Sequence, residues 1–162
     1  MSTKRLLAIA EAIKAEAGVV KHHVLAKPKR EDGWHQWGWS FPKRGIIHAP
    51  AGHTDRELYT LAHECAHVAL RHDHRKPLWR REYEAEQWAH AALRRHGVAV
   101  PEDDTINAMM SVCFMIEEAN ERGWFGRPKR IAAEAAEWSG WTPDQALDLL
   151  DDAVTAHKPI SR

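Results

Sequence analysis

Two cysteines in 162 residues cannot build a disulfide framework, and their spacing fits no zinc ribbon. No stretch approaches the roughly 18 consecutive apolar residues of a membrane-spanning helix. Charge of one sign is also missing. Lys plus Arg and Asp plus Glu number 23 each, so no global field recruits nucleic acid or an anionic membrane. Residues 1–18 are amphipathic and charged throughout, unlike a secretory signal. These absences lead us to expect a soluble, cytoplasmic protein with no membrane and no nucleic-acid partner. Its length suits one domain, or one domain plus an appendage.

Histidine and tryptophan are plentiful, with 12 and 8 residues. Two of the histidines lie in Thr60-Leu61-Ala62-His63-Glu64-Cys65-Ala66-His67, which contains H-E-x-x-H. On a helix, His63 and His67 stand one turn apart and can share one zinc ion (Zn2+), with Glu64 beside them to handle a proton. With Leu61 at zero and 100° per residue, Leu58, Leu61, Ala62, Cys65, Val68 and Ala69 cluster near roughly 50°, whereas His63 and His67 fall near about 200° and 240°. One face therefore suits a core and the other presents the imidazoles. Thr54-Asp55-Arg56-Glu57 reads as a capping box that starts this helix, with Glu57 reaching back to the Thr54 N–H.

A zinc site of this kind wants a third protein ligand. The metzincin spacing would need Gly at position 70, where Leu70 stands, and a ligand at Asp73. His72 and His74 lie at or beyond the helix end and read as solvent-facing residues near the negative end of its dipole. The next helix, about 78–96, carries Glu82, Glu84 and Glu86 beside a stripe of Ala85, Trp88, Ala89, Ala92 and Leu93. Glu82 lies within about 55° of the stripe's centre, and Glu84 and Glu86 about 100° away. Glu82 is the carboxylate expected to point inward. Glu86 is placed to accept a hydrogen bond from the outer nitrogen of a ligand histidine, and Glu84 reads as a surface residue. Asp73, Glu84 and Glu86 stay open as alternative third ligands.

The two segments, residues 60–67 and Glu82-Tyr83-Glu84-Ala85-Glu86-Gln87-Trp88-Ala89, resemble the ImmA/IrrE-type zinc metallopeptidases, small gluzincins of bacteria, phages and mobile elements. The likeness covers about residues 45–95. It departs from the family in a short spacer between His67 and Glu82, and in Glu86 where Asn or Asp is usual. The resemblance implies zinc held by His63, His67 and Glu82, with Glu64 as general base and a protein or peptide substrate. It also implies an edge strand beside the cleft that pairs with extended substrate, and we assign that role to residues 45–49. Tyr83, His90 and His72 are candidates to stabilise the oxyanion.

The rest of the chain supports an α+β fold: a minimal zincin-like domain over 1–100 and a helical extension over 101–162. Residues 3–17 form a helix with Leu6, Leu7, Ile9, Ala10 and Ile13 on its apolar face and Gly18 as its stop. Val19 to Leu25 reads as a strand whose His22 and His23 are structural or surface residues, and 27–33 as a turn. Trp34 to Phe41 alternates Trp37, Trp39 and Phe41, the period of a strand whose tryptophans enter the core. Gly97 ends the second helix. Residues 103–122 are expected to be helical with Ile106, Met109, Met110, Cys113 and Ile116 buried, and both cysteines are expected as buried thiols. Gly123 to Gly126 breaks that helix, and two more follow at 128–138 and 143–156. Asp144, Asp148, Asp151 and Asp152 make the last too acidic for a DNA recognition helix. The expected function is a zinc metalloendopeptidase. The alternative is a zinc-binding regulatory or partner-binding protein of a phage or mobile element.

Overall fold

The computed structural model describes residues 1–26, 29–31, 34–36, 38–121, 134–135 and 137–140, with residues 29–31, 34–36, 117–118 and 120–121 described by their backbone. Within these the architecture is α+β, with four helices, a three-stranded mixed sheet and a separate two-stranded hairpin. Trp37, the break at 123–126, positions 128–133 and 136, the helix at 143–156, and parts of the turn at 27–33 lie outside the described residues. The chain divides into two units, Met1–Lys76 with Glu84–Asp104, and Pro77–Tyr83 with Thr105–Arg162.

In the first unit, helix α1 spans Thr3–Ala17. The Ser2 hydroxyl accepts from the Arg5 N–H, and Gly18 closes the helix at φ 72°, a left-handed conformation that costs glycine little. Its buried residues, Leu6, Ile9, Ala10, Ile13 and Ala17, follow the helical period. Strands β1 (Lys21–Val24), β2 (Lys29–Glu31), β3 (Trp34–Gln36), β4 (Trp39–Phe41) and β5 (Ile46–Ala49) come next. The main sheet has the order β1-β5-β4, with β1 parallel and β4 antiparallel to β5.

Residues 45–49, read as an edge strand, therefore supply the central strand. Among the described residues the edges of this sheet are β1 and β4. The single strand read over 34–41 is two, because β3 pairs with β2 in the hairpin whereas β4 joins β5. Alternation reveals a pleated surface but not which neighbour each piece pairs with. The turn read at 27–33 likewise holds β2 at 29–31.

Helix α2 spans Asp55–Ala69 and packs on α1 and β5. Leu58, Leu61, Ala62 and Cys65 have no exposure, and they meet Ile13, Ile47 and Ala49 in the core. Each buried Leu or Ile side chain contributes roughly 1.5–3 kcal/mol. The capping box is shifted at one end. Thr54 Oγ1 accepts from Glu57 N, but the Glu57 carboxylate accepts from the N–H of His53 rather than Thr54. Helix α3 spans Leu78–Arg95, and from Glu84 onward it belongs to this unit. Ala85, Ala89, Ala92 and Leu93 are fully buried. Its end is tied to α1 through Glu16, which accepts from Arg95 Nη2 and pairs with His96 Nε2, both at 2.8 Å.

The second unit has its own apolar cluster of Trp79, Val112, Ile116, Ala119 and Ala135, with Tyr83, Met115 and Trp138 packed against it. Helix α4 (Glu102–Glu121) supplies Val112, Ile116 and Ala119. This corrects the expected face. Ile116 is buried as read, but Ile106 and Met110 are 47% and 52% exposed, and Cys113 is only partly buried. Residues 134–135 and 137–138 are helical. No helix among the described residues is long and apolar enough to cross a membrane.

Candidate metal centre

The core-facing arc of α2 fixes the rotation of the helix, and so turns His63 and His67 toward the other side. Their Nε2 atoms converge to 3.1 Å. Glu64 follows His63 in the chain and is itself buried. A Cβ built on Gly38, just before β4, would stand 2.7 Å from Glu64 Cγ and 2.8 Å from Oε1. The Glu64 side chain thus lies along bare backbone.

The outer nitrogen of each imidazole is held from behind. His63 Nδ1 is 2.7 Å from Glu86 Oε1, and the other oxygen of Glu86 accepts a hydrogen bond from the Tyr59 hydroxyl. Tyr59 and His63 are one turn apart on α2, so one carboxylate spans both. Burial raises the Tyr59 hydroxyl far above its usual range, and the nearby Glu86 adds to this, so Tyr59 acts as a donor. Burial alone would raise Glu86. His63, Tyr59 and His90 outweigh it, and the carboxyl lies below its usual range.

Behind His67 stands a residue that the sequence reading placed in solvent. His72 is buried, with Nδ1 2.8 Å from His67 Nδ1 and Nε2 3.0 Å from Glu84 Oε2. The end of α2 explains this. Arg71 takes the left-handed conformation at φ 49°, its N–H bonds to Val68 O, and the His72 N–H bonds to His67 O at 3.0 Å. That is a Schellman turn, which brings the residue after the left-handed position against the one five before it. Usually the two meet through an apolar contact; here they meet as two imidazoles. The signal was present in the sequence, since ending the helix at 69 or 70 makes His67 and His72 this pair. A left-handed arginine in place of glycine hid it. Glu84 is correspondingly a half-buried acceptor for His72 and Lys76 rather than a surface residue.

Proton positions follow from these partners. Glu84 accepts only, so His72 Nε2 is its donor, whereas His63 Nδ1 lies beside the Glu86 carboxylate. Burial, with the neighbouring His67 next, pushes His72 down to about 4, so it is neutral near pH 7 and accepts at Nδ1. The Nε2 atoms of the two imidazoles lie 3.1 Å apart, an arrangement that suits a cation between them. On α3, Glu82 precedes Glu86 by four residues. Among the described residues, His63, His67 and Glu82 each offer one ligand atom, all within 4.8 Å of one another, a group that can hold a metal ion.

The other candidates stand elsewhere. Asp73 Oδ1 accepts from the Arg75 N–H at 2.9 Å, and His74 is exposed. His90 is buried with Nε2 3.6 Å from Glu86 Oε2, and burial lowers it. Tyr83 packs edge-on against Trp138, and burial followed by Glu134 and Glu137 raises its hydroxyl. His72 is engaged on both nitrogens.

No family model, curated protein or solved structure matches the chain.

Proposed function

We propose that this chain is a zinc-dependent metallopeptidase of the gluzincin kind, with His63, His67 and Glu82 as ligands and Glu64 as general base. The observation that carries the reading is the convergence of His63 and His67 Nε2 at 3.1 Å with both Nδ1 atoms engaged from behind. Two imidazoles and a carboxylate form a donor set that suits zinc and leaves a position open. When bound, zinc supplies Lewis acidity that makes water a nucleophile near neutral pH and polarises a carbonyl.

The chain's own residues do the rest. Glu86 orients His63, and Tyr59 holds Glu86 in place. Glu64 takes a proton from the attacking water and returns it to the departing amine nitrogen, so no side chain is acylated. Gly38 leaves Glu64 the room this needs. An extended protein or peptide segment is the proposed substrate.

The test is zinc content by elemental analysis together with hydrolysis of a peptide library. We expect about one zinc per chain, lost in His67→Ala and Glu82→Ala. Glu64→Gln should keep zinc and lose turnover. Zinc retained in Glu82→Ala would remove Glu82 from the ligand set. Absence of zinc from the reconstituted wild type would overturn the reading. A zinc protein in which Glu64→Gln changes no activity would be a binding protein instead.

A further inference from the structure

We propose that Glu84 and His72 form a positioning relay that decides which nitrogen of His67 faces the metal, and so sets the strength of metal binding. The inference rests on the metal-site reading above. The relay runs from Glu84 Oε2 to His72 Nε2 at 3.0 Å, and from His72 Nδ1 to His67 Nδ1 at 2.8 Å. Lys76 Nζ holds the same Glu84 oxygen at 2.8 Å. The His72 side chain is 1% exposed and that of Glu84 17%, so water does not compete for the inner link.

The proton logic admits one arrangement once a cation sits on His67 Nε2. His67 must then carry its proton on Nδ1, and that atom faces His72. Glu84 cannot donate, so His72 carries its own proton on Nε2 and accepts at Nδ1. Every donor meets an acceptor. His63 reaches its carboxylate, Glu86, directly, whereas the turn after α2 places an imidazole between His67 and its carboxylate. Without an acceptor at position 72, His67 gains nothing by keeping its proton on Nδ1. The tautomer with the proton on Nε2 then blocks ligation.

His72 does not touch the ion, so the relay is tested by affinity and tautomer rather than turnover. Zinc affinity is measured by competition with a chromophoric chelator. The proton on His67 is located by 15N NMR of the metal-free, histidine-labelled chain at neutral pH. We expect His72→Phe, which keeps a flat ring but neither accepts nor donates, to weaken zinc binding about 10- to 100-fold. His67 in that variant should shift toward the Nε2–H tautomer. His72→Gln can accept at its amide oxygen and donate at its nitrogen, and should restore affinity to within a few-fold of wild type. Glu84→Gln should weaken binding in the same direction as His72→Phe.

Wild-type affinity in a folded His72→Phe overturns the relay, as does an Nε2–H tautomer of His67 in the wild type. Equal losses in the Phe and Gln variants would reduce His72 to packing and also overturn it. A wild type that takes up no zinc sinks the metal reading, and the tautomer spectrum still decides the relay.

Discussion

Gly38 and Glu64 are in direct apposition: a Cβ at position 38 would stand 2.7 Å from Glu64 Cγ, 2.8 Å from Oε1 and 3.0 Å from Cδ. Gly38 is not in the left-handed region, so alanine suits its backbone. The clash would fall on the Glu64 side chain from Cγ outward and not on backbone, so that side chain must rotate away. Gly38→Ala is therefore predicted to displace Glu64 without unfolding the chain. A shift of about 1 Å in a reacting group costs up to roughly 100-fold in rate. We expect unchanged zinc content and thermal midpoint, with kcat lowered about 10- to 100-fold. An unaltered kcat would show that Glu64 does not act from this position.

Tyr59 donates to a carboxylate that is itself buried. Tyr59→Phe keeps the ring and removes the donor, which leaves a buried oxygen unsatisfied. The expected cost is roughly 1–3 kcal/mol. Urea denaturation would show this as a lower midpoint at constant slope, and zinc affinity should fall because Glu86 orients His63. A midpoint equal to wild type would mean that water replaces the hydroxyl.

Arg71 pays a conformational cost for a turn that glycine normally makes. Its φ of 49° is unfavourable for a residue with a Cβ. Arg71→Gly should stabilise the chain by up to about 1 kcal/mol, part of the gain being offset by unfolded-state entropy. Arg71→Val, with a branched Cβ in the same conformation, should destabilise it. Thermal unfolding of the pair decides the matter, and a less stable glycine variant would contradict the strain assignment.

His22 gives the fold a pH dependence away from the candidate metal centre. Its Nε2 is 2.9 Å from the Ala49 carbonyl and its Nδ1 is 3.5 Å from Lys14 Nζ. Burial lowers its pKa below the usual 6.5, opposed by the Ala49 hydrogen bond and reinforced by Lys14. The unfolded chain thus takes up the proton at a higher pH than the folded one. Its contribution is complete above about 6.5 and is lost as pH falls through the folded value. His22→Asn should flatten that part of the stability curve relative to wild type. Identical slopes in urea midpoints across this window would refute the assignment.

The sequence by itself determined the local parts of this protein. The extents of α1 and α3 and the start of α2 follow from apolar periods and from Gly18, Thr54 and Gly97, because helix bonds and caps join residues a few positions apart. The same i, i+4 geometry placed His63 and His67 together and opposite the apolar arc of α2. It also allowed Glu86 to be read as a partner for an outer imidazole nitrogen.

Tertiary structure alone decided the rest. Strand β5 became central because β1 and β4 both chose it, and pairing across such separations leaves no local periodic trace. The buried face of α4 is the one that meets Trp79 and Ala135, with Met115 beside it, and not the one that carries Ile106 and Met110. Gly38 meets Glu64 and His72 meets Glu84 only because strand and helix ends converge on α2. The burial and proton positions of a polar side chain are properties of its neighbours. For His72 and Glu84 those neighbours exist only once α2 has turned at Arg71 and α3 has packed beside it.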